Sequence, residues 1–261
     1  MNAPKKRLKA AESRRALLDA GFELLKERGV SPGLDRVTLK EAIERSGVPR
    51  STAYRLYEGG RGQLEEFRVD FLADLEIVDL EPSMNAFLDV LEEVQPMIDS
   101  NDPAQMAAAA REMIRVGTLR NLESTLASLQ WRLFMSSLAA VDTGPSGDAL
   151  VTETFRLAQE EFGKRWVGTF EQMAALLGLR IRKPLTYGDL GSTVNSIIEG
   201  VALRVPIEPG LASLKRPTGV NGELQTWNAA GCALEALAIS WFEADPAVAV
   251  SADLGTWTTW S

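Results

Sequence analysis

The stretch TLKEAIERSGVPRSTAYRLYEGGR, residues 38–61, predicts two short helices joined by a tight turn. Thr38 and Glu41 have the spacing of a capping box, in which each side chain accepts a hydrogen bond from the backbone of the other residue. Gly47 predicts the end of the first helix, because glycine tolerates the left-handed backbone of a C-terminal turn. Pro49 predicts the start of the second helix, since its fixed φ suits a first helical turn. Two helices joined by a short turn that contains glycine form the helix-turn-helix pattern.

The second of these helices carries cations, hydroxyls and phenols rather than large aliphatic side chains. Arginine binds guanine edges or phosphates, serine and threonine bind either, and tyrosine reaches phosphate, so this composition suits a helix in the DNA major groove. The DNA-contacting residues that it predicts are Arg50, Ser51, Thr52, Tyr54, Arg55 and Tyr57. Helical domains that never touch DNA also contain this geometry, so these residues alone leave both interpretations open.

The flanking sequence extends the pattern in both directions. RRALLDAGFELLKERG, residues 14–29, precedes the two helices, and Gly62-Gln63-Leu64 opens another helix after them. The ordered motifs R-x-L-L-D-A-x-x-E-L-L-x-E-R-G, T-L-x-x-A-I-x-x-S-G-V and S-T-A-Y-R-L-Y, followed by a basic residue and Leu, resemble the N-terminal domain of the TetR family of bacterial transcriptional regulators. The resemblance spans about residues 14–64.

Two departures from the family pattern affect the turn residues. The turn after Tyr57 is longer by about one residue than in the family, and Arg61 is the only basic residue there that matches the family's phosphate contact. Pro49 stands where many relatives have a capping serine. The predicted DNA-contacting residues also include Thr38 and Arg61.

The resemblance implies an all-α protein with two domains. Residues 1–62 are expected to form a three-helix DNA-binding domain, with residues 1–11 as a flexible basic arm, and residues 63–261 a larger helical domain for effector binding and dimerisation. The implied function is a homodimeric repressor that binds a palindromic operator and is released by a small-molecule effector. An activator or a chromosome-organising protein of the same fold, without an effector, is the alternative.

Composition excludes several kinds of chemistry. The chain has no histidine, which rules out a Ser-His-Asp triad, a Cys-His pair and a histidine-ligated metal site. The single cysteine, Cys232, rules out internal disulfides and thiolate metal clusters and fits a reducing cytoplasm. A helical enzyme that uses carboxylates is a remote alternative, since adjacent pairs such as Glu160-Glu161 point in different directions on a helix. We therefore expect no enzyme activity, no cofactor and no metal.

Charge is distributed unevenly along the chain. Residues 1–61 hold 14 Lys+Arg and 8 Asp+Glu, a net charge of +6, and residues 62–261 hold 14 and 28, a net charge of −14, which together give the overall −8. A basic N-terminal part places an attractive field for phosphate at one end of an acidic protein. The other interpretation is an ordinary solvated surface. We favour attraction to phosphate, because the cations coincide with the two predicted helices. No apolar run approaches the about 20 residues of a membrane helix.

The rest of the chain predicts helices alone, about ten in the whole protein, because no segment shows period-two alternation bounded by hairpin turns. Gly117-Thr118 predicts a helix break or kink. Residues 206–222 predict a long surface loop, and residues 223–243 predict the final helix.

Two further sets of residues are predicted in the larger domain. An effector pocket is predicted from aromatic residues, although aromatic residues at helical spacing are more often part of a core. They are Trp131, Phe134, Trp166 and Phe170. A dimerisation surface is predicted on the last two helices, where the competing interpretation is that these side chains face the core of their own chain. Its residues are Val194, Ile198, Val201, Trp227, Leu234 and Trp241.

Overall fold

The computed structural model describes residues 10–28, 37–59, 62–77, 81–98, 101–139, 149–218 and 223–256. These residues are mostly helical, as predicted. The α-helices in this part of the chain are α1 (Ala10–Arg28), α2 (Leu39–Ser46), α3 (Arg50–Leu56), α4 (Gln63–Ile77), α5 (Glu81–Ile98), α6 (Pro103–Ala127), α7 (Leu129–Ala139), α8 (Ala149–Leu176), α9 (Tyr187–Arg204) and α10 (Ala229–Trp241). No helix among the described residues is long and apolar enough to cross a membrane.

Four short strands correct the prediction of helices alone. They are β1 (Leu179–Ile181), β2 (Leu214–Arg216), β3 (Gln225–Trp227) and β4 (Phe242–Ala244). β1 pairs antiparallel with β4, with Leu179 opposite Ala244, and β2 pairs antiparallel with β3, with Leu214 opposite Trp227. Each strand has three residues, which is too short to show alternation in the sequence.

Residue contacts divide the chain into two units. Unit 1 comprises Met1–Asp79 and Ser128–Gln159, and unit 2 comprises Leu80–Ala127 and Glu160–Ser261. Unit 1 therefore includes α4 and α7, which the sequence assigns to the second domain. Of the expected basic arm, the first nine residues lie outside the described residues, and α1 begins at Ala10.

The core of unit 1 forms where α1 packs against α2, α3 and α4. Leu17 and Leu25 of α1 and Phe67 and Phe71 of α4 are all nearly fully buried in it. Gly21 permits the close approach of the two helices, because a Cβ atom at that position would lie only 2.9 Å from Cε2 of Phe71. The α1–α4 contact thus forms the base on which α2 and α3 lie.

Unit 2 packs α5 against α6, and α6 against α9 and α10. The β2–β3 hairpin is joined to α10 by a buried ion pair, in which Arg216 Nη1 donates to Glu235 Oε2. The Arg216 guanidinium also lies 4.5 Å from the centre of the Trp227 ring, a cation–π contact. Arg111 of α6 contacts the same carboxylate, with its Nε 2.8 Å from Glu235 Oε1. These contacts connect three elements that are distant in sequence.

Of the break or kink predicted at Gly117-Thr118, the break is absent, because α6 continues through these residues. Thr118 Oγ1 donates a hydrogen bond to the carbonyl of Ile114 at 2.8 Å, so its hydroxyl is satisfied inside the helix. The actual break lies at Ser128, whose Oγ accepts a hydrogen bond from the backbone N–H of Trp131 at the start of α7. The helix therefore ends next to the capping residue Ser128 and not at Gly117.

The predictions for the C-terminal region also need correction. The expected loop over residues 206–222 contains a short 3-10 helix, Pro209–Ala212, and strand β2. The expected final helix over residues 223–243 is shorter, with a strand on either side of α10. Asn228 starts α10, since its Oδ1 accepts from the N–H of Gly231 at 2.7 Å.

Candidate functional site

A capping box holds the start of α2, as the sequence predicts. Thr38 Oγ1 accepts from the backbone N–H of Glu41 at 3.3 Å, and Glu41 Oε2 accepts from the backbone N–H of Thr38 at 3.2 Å. Hydrogen bonding by the Thr38 side chain, followed by that of Arg28, holds the pKa of the Glu41 carboxyl below its ordinary value. The Thr38 hydroxyl also donates to Glu41 Oε2 at 2.7 Å, so it is occupied by the cap.

The turn between α2 and α3 has a defined backbone geometry. Gly47 has φ +68° and its N–H donates to the carbonyl of Ile43 at 3.1 Å, which ends α2 in the left-handed conformation. Val48 follows and is 3% exposed, so it anchors the turn in the core of unit 1. Pro49, with φ −58°, starts α3, and its carbonyl accepts from the N–H of Ala53 at 3.0 Å.

One face of α3 is buried and the opposite face is exposed. Ala53 is fully buried and Tyr57, the C-cap residue, is 4% exposed. Because an α-helix advances ~100° per residue, Arg55 falls on the side opposite these two residues, with Ser51 one turn before it. Both Arg55 and Ser51 are exposed. The fold therefore directs a cation and a hydroxyl outward from α3.

The remaining predicted residues of α3 flank this face. Thr52 and Tyr54 are half-buried, and Tyr54 packs against the core of unit 1. Arg50 Nη2 lies 3.5 Å from Glu44 Oε1, and both side chains are more than half exposed, so the pair is weak. Arg55 forms no ion pair with any described residue.

Tyr57 corrects the sequence interpretation. Its side chain is buried, and its hydroxyl donates a hydrogen bond to Asp70 Oδ2 of α4 at 3.1 Å, so it points into the protein and not toward a phosphate. Burial, followed by the charge of Asp70, raises the pKa of the Tyr57 phenol well above its ordinary value. Its ring also meets Phe67 edge-on, with centroids 5.4 Å apart. Arg61, the last predicted DNA contact, lies outside the described residues.

Sequence reasoning missed two features next to these helices. Asp70 accepts from Nε of Arg14 at 3.0 and 2.8 Å as well as from Tyr57, so it joins α1, α3 and α4. No local signal reveals a contact between residues that are 56 positions apart. Lys40 was missed as well: it is exposed on α2, between the buried Leu39 and Ala42, and forms no ion pair with the described residues. The sequence signal that could have identified Lys40 is its position as a polar residue between the apolar Leu39 and Ala42.

The second candidate site is an apolar cavity within unit 2. It has a volume of about 110 Å³ and lies between α6, α8, α9 and α10, with β1 and β4 at its edge. Among its lining residues are Met113 from α6 and Phe170, Met173 and Ala174 from α8. All the side chains that line it are apolar.

The predicted ligand-binding residues do not come together in this cavity. Phe170 lines it, whereas Trp166 stacks on Phe170 with ring centroids 5.6 Å apart and is not part of the lining. Trp131 and Phe134 belong to unit 1, while Trp166 and Phe170 belong to unit 2. The helical spacing of Trp166 and Phe170 suggested a shared pocket. In the structure these two side chains, one turn apart on α8, stack on each other.

The predicted dimerisation residues pack within their own chain. Val194 and Ile198 are 9% and 5% exposed, and Trp227 is fully buried on β3 rather than on the last helix. Val194 and Leu234 line the apolar cavity. Val201 and Trp241, together with Leu234, are partly buried against the core between α9 and α10. Intrachain packing therefore buries Val194, Ile198 and Trp227, and it covers Val201, Leu234 and Trp241 only in part.

Comparison with known proteins leaves the family open. No protein-family model matches this chain, and no curated protein sequence matches it. The chain is similar to the solved structure of a protein with unknown function from Rhodococcus sp. RHA1, with 14% sequence identity, 79% of this chain and 88% of that chain covered, and a TM-score of 0.40. A likeness at that level carries no argument, so function has to be argued from the residues of this chain.

Proposed function

We propose that this protein is a DNA-binding transcriptional regulator that reads its operator with α3. The observation that carries the proposal is the outward direction of Ser51 and Arg55 on a helix whose opposite face is anchored in the core. A recognition helix needs both features, since its orientation has to be set before its side chains meet base edges. Arginine at the centre of the exposed face is suited to guanine, the commonest specific contact in the major groove.

The surroundings of α3 support the same function. Arg50 at the first turn of α3 and Lys40 at the first turn of α2 are exposed cations, as expected for contacts that position a protein on the phosphate backbone. The ordered motifs across residues 14–64 that resemble TetR regulators point in the same direction. The acidic remainder of the chain concentrates the attraction for phosphate in the N-terminal part.

We propose further that the protein acts as a homodimer on a palindromic operator. One such helix contacts few base pairs, and two copies related by a two-fold axis read half-sites ~34 Å apart. Of the predicted dimerisation residues, Val194, Ile198 and Trp227 are buried in their own chain, so we propose the exposed side of α9 as the interface. Ser192, Ser196 and Gly200 lie there at successive turns and are exposed.

Within this proposal the protein is a repressor released by a small molecule. The apolar cavity in unit 2 favours this version over an activator or a chromosome-organising protein with no effector, because it offers a place for a ligand. A ligand shifts DNA affinity only through different affinities for the DNA-bound and free states.

The experiment that tests the function is selection of bound duplexes from a random pool at near-physiological salt, since phosphate contacts depend on salt. An inverted repeat would support both DNA reading and two-fold symmetry. The control is the double variant Arg55→Ala with Ser51→Ala, which keeps the buried face of α3 and should enrich a weaker motif that lacks the bases read by these two residues. If the folded wild-type protein enriches no motif, the proposal is wrong.

A further inference from the structure

The cavity in unit 2 is lined by apolar side chains alone. Its walls are contributed by α6, α8, α9, α10, β1 and β4, and every lining side chain is apolar. A buried water molecule needs two to four polar partners, which such walls do not offer. The volume of about 110 Å³ is large enough for several non-hydrogen atoms. Atoms that line an unfilled cavity lose dispersion contacts, which lowers stability in proportion to the cavity volume. An apolar ligand in the cavity would restore these dispersion contacts.

We propose that this cavity binds a small uncharged hydrocarbon, or the hydrocarbon end of a ligand, with a size near that of one benzene ring. The expected size follows from the volume of about 110 Å³, because an engineered cavity of about 150 Å³, lined by Leu, Ile and Phe, stays dry and binds benzene or xenon. The restriction to uncharged ligands follows because a charge buried among these walls would meet no counter-ion or hydrogen-bond partner.

The walls can adapt to such a ligand. Met113 and Met173 line the cavity from different helices, and the unbranched thioether side chain adjusts to irregular shapes and contacts aromatic rings favourably. Ala174 and Ala238 also line it, so part of the free space exists because these two side chains are small. Of the aromatic residues suggested by the sequence, only Phe170 lines the cavity, so residues outside that set also determine the size of the ligand.

Binding itself does not depend on DNA recognition, whereas any effect of the ligand on DNA affinity rests on the proposed regulatory function. The first experiment accordingly uses the free, full-length protein with methyl-¹³C-methionine and benzene as the probe. Met113 and Met173 line the cavity, and Met106 provides the matched control, because it is buried in the same core but does not line the cavity. Resonances are assigned with Met→Leu variants.

The expected result is a saturable shift of the Met113 and Met173 methyl resonances, caused by the ring current of bound benzene, while Met106 stays in place. Absence of a saturable shift, or equal shifts at all three methionines, overturns the proposal. Because no DNA is present, this outcome is independent of whether the protein recognises an operator.

The second experiment fills the cavity. Ala174→Leu places extra carbon atoms at the lining, and Ala175→Leu is the matched control at the next, exposed position of α8. Benzene should raise the melting temperature of the wild type and of Ala175→Leu, with little effect on Ala174→Leu. Ala238→Leu on α10 provides a second filling variant if Ala174→Leu does not fold. If benzene stabilises a folded filling variant as much as the wild type, the cavity is not its binding site.

Pyridine tests the chemistry of the ligand, because it has nearly the shape of benzene but carries a hydrogen-bond acceptor. The acceptor would be buried without a donor, so pyridine should bind about tenfold more weakly or worse. Equal affinity for both rings would contradict a wholly apolar site. With a benzene-responsive protein in hand, the same titration on the operator complex asks separately whether occupancy weakens DNA binding.

Discussion

The hydroxyl of Tyr57 donates a hydrogen bond to Asp70 Oδ2 across 3.1 Å, which ties the C-terminal end of α3 to α4. The same carboxylate accepts from Nε of Arg14 on α1 at 3.0 and 2.8 Å. One acidic side chain thus joins the candidate recognition helix to the two helices behind it. The orientation of α3 depends on this contact and on the edge-on packing of Tyr57 against Phe67.

Replacing Tyr57 by phenylalanine should cost about 1–2 kcal/mol of stability at neutral pH, since it removes one hydrogen bond to a carboxylate and keeps the ring. The pH dependence has a defined sign. Burial raises the pKa of Tyr57 in the folded protein, so the stabilisation is complete below the phenol's ordinary pKa of about 10 and is lost as the pH rises above it. Urea unfolding between pH 8 and about 11 should show a steeper loss in the wild type than in Tyr57→Phe. Equal slopes would contradict the buried phenol.

Arg55→Ala should reduce operator affinity by ~1–3 kcal/mol and relax the preference for one base, as expected if the guanidinium binds a guanine edge. Arg50→Ala should instead weaken binding to all sequences and lower the salt dependence by about one phosphate contact. Arg180→Ala is the control for Arg50→Ala, because Arg50 is 63% and Arg180 50% exposed, each is close to a glutamate, and Arg180 lies on β1, outside α3 and α9. Fluorescence anisotropy with operator and mismatched duplexes measures all three. Unchanged affinity in both α3 variants would exclude α3 as the recognition helix.

Gly47→Ala should destabilise the protein by about 1 kcal/mol, because an L-residue at φ +68° is strained. The cost comes from the backbone alone, since a Cβ atom there would meet no neighbour within 4 Å. Gly168→Ala is the control: its added Cβ also meets nothing, but it lies inside α8, where alanine should stabilise by about 0.5–1 kcal/mol. Thermal unfolding should therefore shift in opposite directions, and a shift of the same sign would show that the turn is not left-handed at Gly47.

Glu235→Gln should cost about 3–5 kcal/mol, because it removes the charge that Arg216 and Arg111 share in the interior of unit 2. Glu235 and Arg216 are only 3% and 4% exposed. The control is Glu243→Gln, which breaks an exposed pair with Arg180 and should change stability by about 1 kcal/mol or less. Chemical denaturation of the two variants provides the comparison. Equal effects would mean that water screens the Glu235 cluster.

Gly200→Arg should convert the proposed dimer to monomer if the exposed side of α9 is the interface. A Cβ atom at Gly200 would meet nothing in its own chain within 4 Å, and the position is exposed, so the substitution mainly tests a partner. Gly168→Arg on α8 serves as the control, because its Cβ also has open space and it lies on another helix. Light scattering measures the mass of each variant. A Gly200→Arg protein that remains dimeric would assign the interface to another surface.

Local sequence signals predicted both ends of α2. The capping box of Thr38 and Glu41 and the end of α2 at Gly47 were both predicted and are both present. Glycine failed as a signal at Gly117-Thr118, where Thr118 is satisfied by hydrogen bonding within α6. A capping or turn motif involves residues within about four positions, so its geometry can be inferred from sequence spacing.

The candidate sites depended on contacts that spacing does not reveal. The phenol of Tyr57 is directed inward by Asp70, and β1 exists because Leu179 pairs with Ala244. The apolar cavity likewise requires several helices and two strands to meet, and its walls include only Phe170 from the predicted aromatic set.

The sequence by itself determined the mostly helical class, the start and end of α2 and the chemistry of the α3 side chains, because these follow from backbone preference and composition over a few residues. Only the tertiary structure decided which face of α3 is exposed, which apolar residues of α9 and α10 are occupied by their own core, and where space for a ligand remains. Burial is a property of the assembled elements, since a side chain becomes inaccessible only when residues distant in sequence pack over it.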